Sequence, residues 1–478
     1  MSETHARAAS SAIVEFRSID FVPDAERHGS LMSQFTLWLS ANLQITAIVT
    51  GALAVVFGGD VFFSLIALLI GQILGGAVMA LHAAQGPQLG LPQMISSRVQ
   101  FGVYGAAIPI VAVCIMYIGF SASGCVLAGQ AISQLLGIDA ATAIILFGLL
   151  IVAVTVLGYR LIHAIGRVSS IVGIVAFLYL FSRLFASHDL ASLLANRHFS
   201  LSQFLLSMSL SASWQIAYGP YVADYSRYLP RSTPVAAVFT AVGLGSVIGA
   251  QVSMTFGVLA AALAGKQFEH HEVSWIVGLG SGGTVAGLLY LSIAFGKVTV
   301  TSLNAYGSFM SMATLVSAFR GSVRVTSGQR LMYVLAMVGA SVLLALVGRH
   351  SFLRAFESFI LLLLAVFTPW SAINLVDFYY VRRGHYSVRE IFNPHGLYGR
   401  WNWRGLTAYG IGFVSMIPFF STGIYTGPVA RALGGADLAM LVGLPVSTIV
   451  YLLACRSMDI QGEIRRAAAA DVGLEVDG

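Results

Sequence analysis

Apolar stretches long enough to cross a bilayer recur from one end of the chain to the other, and no other feature restricts the fold as severely. A spanning helix needs about 20 predominantly apolar residues. By that measure the sequence predicts twelve spans, at 34–58, 62–83, 104–135, 141–159, 167–186, 203–224, 234–264, 282–312, 331–348, 355–380, 406–425 and 436–455. Only 10% of the residues are charged and 57% are hydrophobic, against roughly 25% charged in soluble domains. The chain is therefore read as an all-α membrane protein. Its net charge of +6 is spread through short loops, which speaks for membrane orientation and against nucleic-acid binding.

Placing the amino terminus inside puts Arg98, Arg160, Arg167, Arg227, Arg231, Arg320, Arg324, Arg330 and the run from Arg382 to Arg404 in the cytoplasm. The outer loops then keep Arg183, Arg197, Lys266, Arg349, Arg354 and Arg431. That asymmetry predicts both termini inside. The first thirty residues lack the apolar core and cleavage site of a signal peptide, so the first helix is expected to direct insertion into the plasma membrane, in a bacterium the inner membrane. The predicted organisation is a cytosolic segment 1–30, one transmembrane domain 31–456 and a cytosolic, partly disordered tail 457–478. Cys114, Cys125 and Cys455 fall in apolar segments without metal-like spacing, and are read as core residues.

Two spans carry polar interruptions. In the sixth, SASWQIAYGPYVADYSRYLP (211–230) sets Gly219-Pro220 near the end of an apolar run. Proline removes a backbone donor and clashes with the carbonyl four residues back, so the helix is expected to kink or open there. In hydrocarbon, such a break survives only inside protein or beside a polar cavity. Trp214, Gln215 and Tyr218 would give that cavity a flat face and hydrogen-bonding groups, with the charged pair Asp224 and Arg227 closing the span. For an isolated segment an ordinary proline kink is the better explanation. The first span changes the balance, because Ser40, Asn42 and Gln44 are embedded in WLSANLQITAIVTGAL. Interhelical hydrogen bonding at about 1 kcal/mol per contact competes as an account, but three polar residues in five exceed what it usually needs. Interrupted segments at matching places in two halves point to an inverted-repeat transporter with a central site. The halves are read as helices one to five (31–200) and six to ten (201–380), with helices eleven and twelve (404–456) as additions.

The eighth span places Lys297, Thr301, Asn304 and Ser308 at spacings that share one helical face, and that stripe is predicted to face inward. Lys297 lies near mid-span, where a charge costs at least about 2.5–3.5 kcal/mol. A functional role is therefore favoured over a lysine merely paired with backbone carbonyls. The segment QGPQLGLPQMISSRVQFG (85–102) reads as an ordered loop with a short surface helix. Asp377 beside Arg382 and Arg383 predicts a charge cluster at the inner surface, with the aromatic-rich segment after it folding back underneath.

The elements WLSANLQ, QGPQLGLPQMISSRVQFG, VADYSRYLP, NAY (304–306), VRRGHY and YGRWNWRGL, in this order over nearly the whole chain, resemble the nucleobase-cation symporter family and in particular its purine and cytosine permease branch. The resemblance implies a leucine-transporter-type fold of two inverted five-helix repeats plus two C-terminal helices. It also implies a substrate site. Gln44 or Asn42 would border the ligand from helix one; Phe120, where many relatives have tryptophan, would stack on its ring from helix three. Gly124 would stand where relatives carry a polar residue. On helix six the facing aromatic would be Trp214, or Gln215 if the match to Asp224 is kept ungapped, with Ser213 beside it. Asn304 would supply the amide of helix eight. For a coupling cation, the resemblance points to helix-one positions Ser40 and Leu43, and to Phe295, Val298 and Thr299 on helix eight, of which only Thr299 has a hydroxyl. With one ligand missing and Lys297 adjacent, proton coupling through Lys297 is expected over sodium; a permanently charged Lys297 standing in for the ion is the alternative. Gly219, Pro220, Asp224 and Arg227 are assigned to gating or structure.

These residues describe a planar, neutral heterocycle sandwiched between Phe120 and Trp214, where stacking contributes about 0.5–1.5 kcal/mol beyond burial. Amides at Gln44, Gln215 and Asn304 would read its edge. The expectation is secondary active import of cytosine or a purine by alternating access, in a monomer or weak homo-oligomer with no cofactor beyond the coupling proton or sodium ion. The same mechanism with a hydantoin, allantoin or vitamin ring is the runner-up. A passive channel, or a membrane-embedded enzyme for which no nucleophile-base set is visible in the spans, would be alternatives of other classes.

Overall fold

The computed structural model describes residues 21–157, 159–280, 282–320 and 326–473. The expected segment 1–30 and the tail 457–478 fall partly outside these residues, as does Arg324 of the inner-loop set; the side chains of Arg160 and Arg167 lie outside the described ones. Among the described residues the regular structure is helical apart from an isolated bridge between Ser421 and Thr426.

The first predicted span is two helices, α1 (Leu31–Asn42) and α2 (Ile45–Val56), bent by 57°. A reciprocal capping box between Ser30 and Ser33 starts α1, satisfying donors that a helix N-terminus leaves orphaned. Leu43 and Gln44 depart from helical backbone at the break, Gln44 being fully extended (φ −146°, ψ 156°). Next come α3 (Val61–Ala83), capped by Asp60, then α4 (Ala107–Leu136), α5 (Ala140–Leu157) and α6 (Tyr159–Ser187). The sixth span divides into α7 (Leu201–Ile216) and α8 (Gly219–Ser226). Pro220 sits in the first turn of α8, where its missing N–H costs nothing. This second break is milder than the first, because Ala217 and Tyr218 keep right-handed helical dihedrals.

The chain continues through α9 (Val235–Ala264), the short α10 (Glu272–Gly280), α11 (Gly283–Arg320), α12 (Ser327–Gly348) and α13 (Phe352–Val376), then α14 (Trp403–Met416), α15 (Ala439–Cys455) and α16 (Ile460–Ala470). Among the described residues, six helices qualify as membrane spans by length and hydropathy, and up to eight if each of two bent helix pairs is one span. Packing between them is close because glycines line the contacts. A Cβ on Gly51 would meet the Met254 carbonyl oxygen at 2.2 Å, and one on Gly257 the Ile48 oxygen at 1.8 Å, so α2 and α9 touch backbone to backbone as small-residue seams in membranes do.

Segment 85–102 differs from its expectation. It forms three short helical turns, Gly86–Leu89, Gln93–Ser96 and Arg98–Phe101, almost wholly buried, because its amides are used inside. Gln85 donates to Asn374 at 2.8 Å, Gln100 to Asp377 at 2.8 Å and to the Tyr386 hydroxyl at 2.7 Å, and the Gln93 amide N–H to Asp224 at 2.8 Å. In the described part of the tail, α16 docks against the rest of the protein. Arg382, paired with buried Asp377, donates to Glu463 at 2.6 Å, and Asp471 accepts from Ser387 and from the Val388 amide, both at 2.8 Å. Glu463→Ala removes a charge-assisted contact of about 1.5–3 kcal/mol. It should make residues 457–473 the first site of limited proteolysis, while ligand binding at mid-bundle is unchanged; equal protease resistance would show that α16 is held by something else.

Candidate functional site

The break between α1 and α2 opens onto a cavity of about 280 Å³, far above the ~10–15 Å³ that one water needs. Helices α1, α2, α4, α6, α7, α8, α10 and α11 contribute to its wall. Among the residues singled out from sequence, Ser40, Leu43, Gln44, Phe120, Trp214, Lys297, Thr299 and Asn304 line it together. Asn42, Gly124, Ser213, Gln215 and Val298 do not.

Each exclusion has a physical reason. Asn42 is fully buried and all its capacity is used. Its Nδ2 donates to the Trp38 carbonyl at 2.7 Å and to Ser246 at 3.0 Å, while its Oδ1 accepts from Trp214 Nε1 at 2.7 Å and Tyr218 at 3.2 Å. It is a pin joining the end of α1 to α7 and α9. Gln215, one residue past Trp214, points the other way and bonds Gln72 and Ser246; of the two helix-six readings, only Trp214 faces the cavity. Ser213 donates to the Ile360 carbonyl. Val298 is buried away from the lumen. Asp224 and Arg227 stand at the C-terminal end of α8, where Asp224 holds the 85–102 segment and Arg227 Nε donates to the Asp224 carbonyl at 3.3 Å.

The aromatic pair also differs from the expected sandwich. Phe120 and Trp214 meet edge to face, centroids 5.7 Å apart at 85°, with Phe359 packed against the far side of Phe120 at 5.2 Å. A flat ring cannot lie between two rings that already touch; it can stack on one of them. Trp38, Tyr218 and Tyr221 extend this aromatic wall.

Polar groups in the cavity are few. Gln44 Nε2 folds back onto the Ala41 carbonyl at 2.8 Å, and its Oε1 accepts from Lys297 Nζ at 3.2 Å. Lys297 donates also to Thr46 Oγ1 at 2.6 Å. Its stem runs past Gly124, where a Cβ would stand 3.2 Å from Lys297 Cε and 2.6 Å from Thr301 Oγ1. Gly124 therefore leaves room for Thr301 and for the stem of the lysine. Asn304 lines the cavity with an amide that bonds no other group among the described residues. Thr301 and Ser308, predicted on the same stripe, are buried outside the cavity wall, with hydroxyls that lack partners among the described residues.

Thr299 turns away from Lys297 and shares a 3.0 Å hydrogen bond with Ser169 of α6. Ser169 and Ser170 line the cavity and, like Thr46 and Trp38, were not singled out from sequence. The one signal for them was a serine pair near the start of an apolar span.

The family described as permeases for cytosine/purines, uracil, thiamine and allantoin matches residues 21–443. A Bacillus subtilis (strain 168) protein named "Putative purine-cytosine permease YxlA" is 36% identical over 438 residues, covering 92% of this chain and 95% of its own. The purine-cytosine permease fcyB of Emericella nidulans is 26% identical over 468 residues, with 93% and 89% covered. Among solved structures, Mhp1 in its inward-facing conformation superposes with a TM-score of 0.75 at 17% identity, over 96% of this chain and 98% of that one. Likeness at that identity shows the fold, which is the leucine-transporter-type inverted repeat.

Proposed function

This chain belongs to the family of permeases for cytosine/purines, uracil, thiamine and allantoin, a family of multi-pass membrane transporters for small heterocycles, and from that membership we propose that it imports a nucleobase by secondary active transport. The observation that carries the reading is the cavity at the α1–α2 break. It offers aromatic faces for stacking and, in Asn304, an amide with no other occupation. The relatives named as purine-cytosine permeases favour a purine or cytosine over a hydantoin, allantoin or vitamin ring. Alternating access would proceed by movement about the interrupted helices, in a plasma-membrane protein of twelve spans with both termini cytoplasmic, acting as a monomer or weak homo-oligomer.

A proton is the coupling ion in this reading. The side chains of Phe295 and Val298 carry no oxygen, and Lys297 puts a protonatable amine on the cavity wall. Sodium is the second reading, favoured by one observation: Ser169 brings to Thr299 the hydroxyl that helix eight lacks. Proteoliposome uptake of labelled adenine, cytosine and uracil tests both. Accumulation driven by an inward proton gradient without sodium is expected. Strict sodium dependence would transfer the coupling to the Ser169–Thr299 pair, and flux that never exceeds equilibration would replace the transporter by a channel.

A further inference from the structure

We propose that the ring carried by this protein is a weakly acidic oxo-heterocycle, bound as its N-deprotonated anion with the oxo edge against Lys297. The proposal rests on the transporter reading above and, among the purines and cytosine of that reading, sets acidic oxopurines before adenine and cytosine. Lys297 is the single charged side chain among the described residues lining the cavity, and no carboxylate lines it. Its ammonium has three protons to donate. Two are taken by neutral oxygens, Gln44 Oε1 at 3.2 Å and Thr46 Oγ1 at 2.6 Å, and the third has no acceptor among the described residues.

Among the described residues, the helices packed around α11 supply no counter-charge. Cys125 faces Lys297 from α4, and Tyr218, Tyr221 and Tyr225 line the cavity opposite. Glu272 of α10 is held by Gln130 at 2.7 Å and the His270 amide at 3.1 Å. Arg183 of α6 and Arg330 of α12 donate to backbone carbonyls, of Gly280 and Thr155. α2 has no titratable side chain.

Buried charges are paired or solvated, so the partner of Lys297 must come with the ligand. An oxo-imide edge provides it, since a deprotonated ring nitrogen flanked by carbonyl oxygens is an acceptor along its whole length and makes charge-assisted hydrogen bonds to an ammonium. An amino-substituted edge does not, because its N–H donors would oppose those of Lys297. Gly124 belongs to the same arrangement: any side chain there would press on the lysine stem and on Thr301.

The test is equilibrium binding to purified full-length protein of urate and xanthine, set against adenine and cytosine, over the pH range in which the acidic probes ionise. The acidic probes should bind at least ~10-fold more tightly than the amino bases, with affinity rising as each probe loses its own N–H proton. In Lys297→Met and Lys297→Gln that preference and that pH dependence should vanish while weak stacking-driven binding persists. The wild-type comparison needs no variant to fold. Amino bases binding wild type as tightly as urate and xanthine, or a preference that survives both substitutions, overturns the proposal alone. Binding of none of the four rings overturns the transporter reading with it.

Discussion

Asn42→Leu is expected to lower the thermal stability of the purified protein sharply and to abolish transport, although residue 42 does not line the cavity. The substitution removes the acceptor of the Trp214 indole N–H and the Tyr218 hydroxyl, and the donor that Ser246 and the Trp38 carbonyl receive. Two buried donors left unpaired cost about 1–3 kcal/mol each, a large share of the ~5–15 kcal/mol that holds a folded domain together. Asn42→Asp gives a graded control. A carboxylate still accepts from Trp214 and Tyr218 but donates to neither Ser246 nor the carbonyl, so its loss should be smaller. A melting temperature unchanged in Asn42→Leu would mean that the α1 break is held open by something other than this pin.

Asn304→Ala should behave in the opposite way. Its amide bonds no other group among the described residues, so truncation leaves none of them unpaired in the empty protein and the melting temperature should hold. Ligand affinity should fall by the value of one or two edge contacts, about 1–3 kcal/mol or roughly 5- to 150-fold. Full affinity in Asn304→Ala would remove that residue from the site. Trp214→Ala separates the two roles less cleanly than the sequence suggests. The indole is a cavity wall and also a partner of Asn42, so stability and binding should be lost together.

The gap between these two asparagines measures how far the chain can be read without coordinates. Both are amides within apolar spans, and composition treats them alike. Successive residues on a helix point about 100° apart, so one residue of rotation decides whether Trp214 or Gln215 faces the lumen. Hydropathy cannot specify that rotation inside a bundle whose helices are apolar on most faces. Thr299 and Lys297, two residues apart, go to different neighbours for the same reason, one to Ser169 of α6 and the other to Gln44 and Thr46 at the α1–α2 break.

The sequence by itself determined the membrane class, the all-helical architecture and the positions of both interruptions. Run length, hydropathy and a proline or polar residue within an apolar run act locally, and hydrocarbon punishes any backbone group left without a partner. Tertiary structure alone decided which polar side chains became struts and which stayed free, and that the absent side chain at Gly124 admits the stem of Lys297. Those outcomes depend on how neighbouring helices rotate and how closely they pack, which no single segment encodes.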